Sequence, residues 1–108
     1  MKYYEVFISA EDQGQADLML NSLLEKKLAT GGQFVMTPAR FLWKGEIMNR
    51  EYITITSFTT EFHKEAVIED IKRTSDEEVP MIRFFEFVGN DALLKWIDDT
   101  LVSMPQNS

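Results

Sequence analysis

The sequence predicts an α+β fold, a ferredoxin-like βαββαβ sandwich with a further helix at its C-terminal end. Three observations carry this. Ala16, Met19, Leu20, Leu23 and Leu24 recur at i, i+3, i+4, i+7, i+8 spacing, which draws a single apolar stripe along a helix. Alternating runs at Tyr3–Ile8, Glu51–Phe58 and Met81–Val88 have the period of two that belongs to strands. The connections between these segments are short. With right-handed crossovers, the order β α β β α β α then packs its helices on one face of an antiparallel sheet.

Each element has a local reason. In the first strand Tyr4, Val6 and Ile8 share one face, and Tyr3, Glu5 and Phe7 the other. Apolar side chains on both faces suit an inner strand, or one whose second face meets another subunit. Glu11 and Asp12 open the first helix at the positive end of its dipole. Lys26 and Lys27 are expected in its last turn, and Gly31-Gly32 as its stop. Gln33 to Trp43 reads as extended, with a break at Pro38 because proline cannot donate to a ladder. Lys44-Gly45-Glu46 begins a turn expected to run to about Arg50. Glu51 to Phe58 then returns as a β-branched strand, with Ile53 and Ile55 opposite Tyr52, Thr54, Thr56 and Phe58.

Thr59 and Thr60 are candidate caps for a second helix from about Glu61 to Arg73, with Val67, Ile68 and Ile71 as its stripe. Thr74 to Glu78 is a polar loop. Pro80 opens the strand Met81 to Val88, where Ile82, Phe84 and Val88 face opposite to Met81, Phe85 and Phe87. Gly89-Asn90-Asp91 is a turn and cap, and Leu93, Leu94, Ile97 and Leu101 form the stripe of the last helix. The reading is one domain over residues 1–103 and a frayed tail over 104–108.

Composition narrows the function classes. The 108 residues are 44% hydrophobic and 27% charged, as in a soluble globular chain. A net charge of -7 repels phosphate backbones, so nucleic acid is not an expected partner. No apolar run reaches the roughly 20 residues of a membrane span, and Met1-Lys2-Tyr3-Tyr4-Glu5 lacks a secretory apolar region. A cytoplasmic location and no membrane partner are therefore expected. With no cysteine, disulfides, thiolate metal sites and cysteine nucleophiles are excluded.

Phe41-Leu42-Trp43-Lys44-Gly45-Glu46-Ile47, Leu28-Ala29, Val79-Pro80, Gly89-Asn90 and Trp96-Ile97 occur in an order and spacing that resemble the divalent-cation tolerance (CutA) family of small trimeric proteins. The resemblance runs from the first strand to the last helix. It implies a ferredoxin-like homotrimer linked to divalent-cation tolerance. The departures bear on chemistry. Ala29-Thr30-Gly31 stands where the family has Ala-Ala-Cys, and Ser75-Asp76-Glu77 where it has His-Pro-Tyr. Phe58-Thr59 replaces its Lys-Thr, and Leu93 the tyrosine before the last tryptophan. Without that thiolate and imidazole, the family route to copper is not expected here.

His63 is the sole histidine and reads as a surface or boundary residue, since one ring cannot close a metal site. Asp76, Glu77 and Glu78 offer hard oxygen ligands, but lack the spacing and central glycine of a calcium loop. They and His63 are at most weak candidates for a loosely held divalent cation, and no other cofactor is implied. Trp43 and Trp96 fall where the family packs its subunits beside a cleft. They are core or interface filler, or else walls of an inter-subunit pocket with Glu51, Arg40 or Arg83 as polar anchor. No nucleophile–base pair or phosphate cradle is evident, and Asp98 and Asp99 sit late in the last helix, against its dipole.

The chain is thus expected to be a non-enzymatic CutA-like homotrimer with weak or lost metal binding. The alternative is a trimer resembling PII signalling proteins, holding a small molecule or a protein partner. A purely structural assembly module is a third reading.

Overall fold

The computed structural model describes residues 1–104. Within them the chain forms β1 (Tyr3–Ala10), α1 (Gln13–Glu25), β2 (Gly32–Trp43), β3 (Glu46–Thr60), α2 (Lys64–Thr74), β4 (Ile82–Phe87) and α3 (Asp91–Thr100). The strands make one antiparallel sheet in the order β2-β3-β1-β4, which is the ferredoxin-like sandwich with its C-terminal helix. Beyond Met104, the tail expected at 104–108 lies outside the described residues.

Val6, Ile8 and Ala10 of β1 and Ile53 and Ile55 of β3 point to one face and are buried there. Ala16, Met19, Leu20 and Leu23 of α1 and Val67 and Ile71 of α2 close over them as one apolar core. Leu24, expected in the α1 stripe, is instead exposed at the stripe's margin.

α1 starts where Asp12 caps it, its carboxylate accepting the Gln15 N–H at 2.8 Å. It ends at Glu25, earlier than the glycines predicted. Lys27 takes a left-handed φ of 57°. The N–H groups of Lys27 and Leu28 then turn back to the carbonyls of Leu24 and Leu23, at 3.0 and 2.9 Å. This is a Schellman stop built on a lysine, and it places Lys26 and Lys27 past the last turn.

The β2–β3 hairpin also corrects the sequence reading. Pairing runs without a shift from Gly32–Ser57 to Trp43–Glu46, passing through Pro38 opposite Glu51. Because β2 is an edge strand, the absent proline N–H costs no ladder bond. Lys44 and Gly45 both have positive φ, 50° and 83°, the two-residue turn that matches strand twist. The strand resumes at Glu46 rather than after Arg50.

α2 begins at Lys64, after a turn over residues 61–63. Thr60 serves that turn by accepting the Phe62 N–H at 3.2 Å. Thr59 instead donates to the Leu28 carbonyl at 2.9 Å and is no cap. His63 is only 6% exposed, which corrects its expected surface or boundary placement. Its Nε2 donates to the Val102 carbonyl at 2.7 Å, which leaves Nδ1 to accept the Thr60 hydroxyl at 2.6 Å. Val88, expected to share a strand face with Ile82 and Phe84, lies past β4 and is 98% exposed. In α3, Asp98 accepts the Tyr3 hydroxyl at 2.8 Å and Asp99 pairs with Lys95 at 2.6 Å, so both late acids find partners within the chain.

Two stability outcomes follow from this packing. Leu23→Ala should lower unfolding free energy by about 2–5 kcal/mol in a urea titration, as deletion of a fully buried leucine does. Lys27→Gly should raise it by about 1 kcal/mol, because glycine takes the left-handed stop without a Cβ clash.

Candidate functional site

The face of the sheet turned away from α1 and α2 carries Tyr3, Glu5, Phe7 and Ser9 of β1, with Thr54, Thr56 and Phe58 of β3 opposite them. Phe85 and Phe87 of β4 continue the layer, with Arg83 between β1 and solvent. Phe58 and Phe87 lie 5.1 Å apart between ring centroids, and Phe7 and Phe85 meet edge to face at 5.3 Å. The Arg83 guanidinium stacks over Phe7 and Phe85 at 5.5 and 5.7 Å.

α3 lies over one end of this face, tied by Tyr3 to Asp98. It brings the indole of Trp96 to the start of the hairpin, where a cleft of about 190 Å³ is lined by Glu5, Gly31, Gly32, Gln33, Thr56, Ser57, Phe58 and Trp96. The glycines have a purpose here. Gly31 has φ 142°, and a Cβ on Gly32 would stand 2.7 Å from the Thr56 carbonyl. Glycine thus lets β2 start hard against β3, and the Gly31 N–H bonds the Ser57 hydroxyl at 3.3 Å. Among the described residues the side chains of Glu5, Gln33 and Thr56 make no hydrogen bond or ion pair, so three uncommitted polar groups converge on the cleft.

A larger groove of about 610 Å³ lies on the opposite side, between α1 and α2, lined by Lys26, Leu28, Ala66, Asp70 and Arg73 among others. It is shallow, and its charges are paired through Asp70 Oδ1, although the buried Asp70 Oδ2 has no hydrogen-bond partner among the described residues. Asp70 is 3% exposed and accepts from both Lys26 and Arg73, clamping the end of α1 to α2. A groove whose ionic groups are already paired is a weaker ligand site than a cleft with free ones. Sequence reasoning passed over Asp70, although an acid one residue before Ile71 in the α2 stripe was the available signal.

Of the residues proposed from sequence, Trp96 lines the cleft and Arg83 stands on the same sheet face. Trp43 sits at the hairpin tip, opposite Glu46, with Lys44 Nζ 5.4 Å from its ring centre. Arg40 Nε donates to Asn49 Oδ1 at 2.8 Å, and exposed Glu51 faces Pro38. The β3 span from Glu46 to Ser57 is about 37 Å at strand rise, so Trp43 and Trp96 of one chain lie at opposite ends of the hairpin.

The metal candidates do not converge. Both ring nitrogens of His63 are engaged, Glu78 pairs with Lys44 at 3.5 Å, and the Asp76 backbone N–H donates to Gln15 Oε1 at 3.0 Å. Among the described residues no group of three or more histidine, aspartate or glutamate side chains is placed to hold a metal ion. The donor set therefore does not fit a built transition-metal centre. Glu77 is half-buried, with one carboxylate oxygen unpartnered. Burial foremost, then the nearby Glu11 carboxylate, pushes its pKa above the ordinary range, against a smaller opposing effect of the Ser9 hydroxyl. Burial together with Glu77 and Glu11 likewise raises Tyr52.

Comparison with known proteins identifies the architecture. The sequence profile of the CutA1 divalent ion tolerance protein family matches residues 4–100. The periplasmic divalent cation tolerance protein CutA from Archaeoglobus fulgidus superposes with a TM-score of 0.88 at 25% identity, over 91% of this chain and 97% of that one. The divalent cation tolerance protein from Thermus thermophilus gives 0.88 at 22% identity, over 93% and 99%. CutA1 from Oryza sativa gives 0.89 at 17% identity, over 94% and 95%. No significant match was found among curated protein sequences.

The Glu77 environment predicts a pH dependence. With its pKa raised in the folded state, folded protein binds more protons than unfolded protein from the ordinary glutamate range up to the raised value. Stability contributed by this group therefore falls as pH rises through that window. Glu77→Gln should raise the melting temperature at about pH 7 and change it little at about pH 4, where both states are largely protonated.

Proposed function

This chain belongs to the CutA1 divalent ion tolerance family, and we propose that it works as a non-enzymatic homotrimer whose metal binding is weak or lost. The observation that carries the assembly is uncovered apolar surface. Phe7, Phe58, Phe85 and Phe87 line a sheet face that α1 and α2 leave open. Phe34, Val35 and Met36 are exposed on the edge strand β2, and Leu42 and Ile47 near the hairpin tip. A long, apolar, unpaired edge invites pairing with another chain, and cyclic symmetry closes such contacts without leaving free edges. The outer half of the hairpin, beyond the part of β3 that pairs with β1, forms an arm that could lie on a neighbouring copy.

In this reading the arm carries Trp43, Arg40 and Glu51 of one copy toward the Trp96 cleft and Arg83 of the next. The two tryptophans, held apart in one chain, then line one inter-subunit pocket. That cleft favours the second reading, a trimer resembling PII signalling proteins that binds a small molecule or a protein partner. The scattered oxygen donors at Asp76, Glu77 and Glu78 leave room only for loose association of calcium or magnesium. Nucleic acid and membrane partners are not part of the proposal. A cytoplasmic location is, and cell fractionation in which the protein travels with periplasmic markers would overturn it.

Light scattering at micromolar concentration should report three times the chain mass of 12.6 kDa. A stable monomer would overturn the assembly. Trp43→Ala should shift the population toward smaller species on dilution. Calorimetric titration with copper should show weak binding at most, and tight binding abolished by His63→Ala would defeat the metal half of the proposal.

A further inference from the structure

We infer that the cleft beside Trp96 takes a small organic ammonium ion, with the Glu5 carboxylate as its counter-charge. This deepens the ligand-binding reading and rests on it for the location of the site, although the cleft is built by one chain. Glu5 is an acid set into an aromatic layer: Phe58 lies across from it on β3 and Phe85 on β4. It is half-buried and makes no hydrogen bond or ion pair among the described residues of its own chain, so a bound cation would supply the counter-charge it lacks. The nearest guanidinium on this face, Arg83, stacks on Phe7 and Phe85 instead of pairing with Glu5.

The rest of the lining selects the kind of cation. Trp96 and Phe58 line the cleft, and aromatic rings attract alkylammonium groups electrostatically and also shelter their carbon atoms. Gln33 and Thr56 supply uncommitted oxygens to accept from an ammonium N–H. A single carboxylate among aromatic walls gives too few oxygen ligands for calcium or magnesium. An anion would meet Glu5 and a chain of net charge -7, which concentrates cations around the protein. At about 190 Å³ the cleft is smaller than the ~300–1,000 Å³ of drug-sized pockets and suits a group of a few heavy atoms.

The test reads the unmutated protein by calorimetry and, beside it, the Trp43→Phe protein, in which Trp96 alone reports by fluorescence. Tetramethylammonium, n-butylammonium, magnesium and uncharged tert-butanol are titrated at constant ionic strength. Both ammonium ions should saturate the Trp96 signal, and tert-butanol and magnesium should not. Glu5→Gln in the same background should weaken ammonium binding by about tenfold or more with an unchanged melting temperature. Should that variant fold poorly, Trp96→Leu read by calorimetry supplies the second arm, with a loss of similar size expected. Equal binding of tert-butanol and tetramethylammonium, saturation by magnesium in preference, no saturation by either ammonium ion, or undiminished binding by a folded Glu5→Gln or Trp96→Leu protein would each overturn the inference. Light scattering on the unmutated protein, with and without ammonium, separates the two proposals. A trimer without ammonium binding overturns this inference alone, and a monomer that binds ammonium overturns the assembly alone.

Discussion

β1 is hydrogen-bonded along both edges, to β3 and to β4, and carries apolar side chains on both faces. Helices packed on one side bury Val6, Ile8 and Ala10 completely, but they leave Tyr3 and Phe7 on the other. The sheet therefore has one face completed by its own chain and one that is not. The remaining features of the molecule answer that asymmetry. The long hairpin extends the uncovered surface, α3 comes back to cover one end of it, and the cleft opens where that cover stops.

The position of α3 depends on a small polar junction. The Val102 N–H bonds the Lys27 carbonyl at 2.9 Å, while its carbonyl accepts from His63. The left-handed stop of α1, the turn before α2 and the exit from α3 thus meet at one place. Ile97 is fully buried, and Trp96 beside it, 47% exposed, lines the cleft. A histidine that resembles a stray metal ligand in sequence is a structural tie in the fold, buried because both of its nitrogens have partners. Asp70 of α2 has a comparable duty at the C-terminal end of α1, where burial of a carboxylate is sustained by two cations.

The sheet and its helices were legible from periodicity because burial on one face imposes it. The α1 stripe and the alternation in β1, β3 and β4 each report a surface that must be dry. Boundaries were less legible. A lysine at the left-handed stop of α1 carries no glycine signal, and Pro38 reads as a break only until β2 is known to be an edge. Trp96, which lines the cleft, could be singled out from sequence as packing or a pocket wall, whereas Glu5 could not. A lone acid in a strand looks like a solvent-facing residue until its cross-strand neighbours prove to be phenylalanines.

By itself the sequence determined the element order, most of the helix-covered core and the family resemblance, since all three follow from local spacing along the chain. It also determined that thiolate chemistry is missing and that imidazole is limited to one ring, because composition alone settles which ligands exist. Only the tertiary structure decided which polar groups are paired and which are free. Register sets Glu5 between Phe58 and Phe85, the approach of Val102 and Thr60 engages both nitrogens of His63, and the close packing of Gly32 on Thr56 shapes the cleft. Most of those relations join residues far apart in the chain, and a one-residue change in strand register would turn every side chain to the other face.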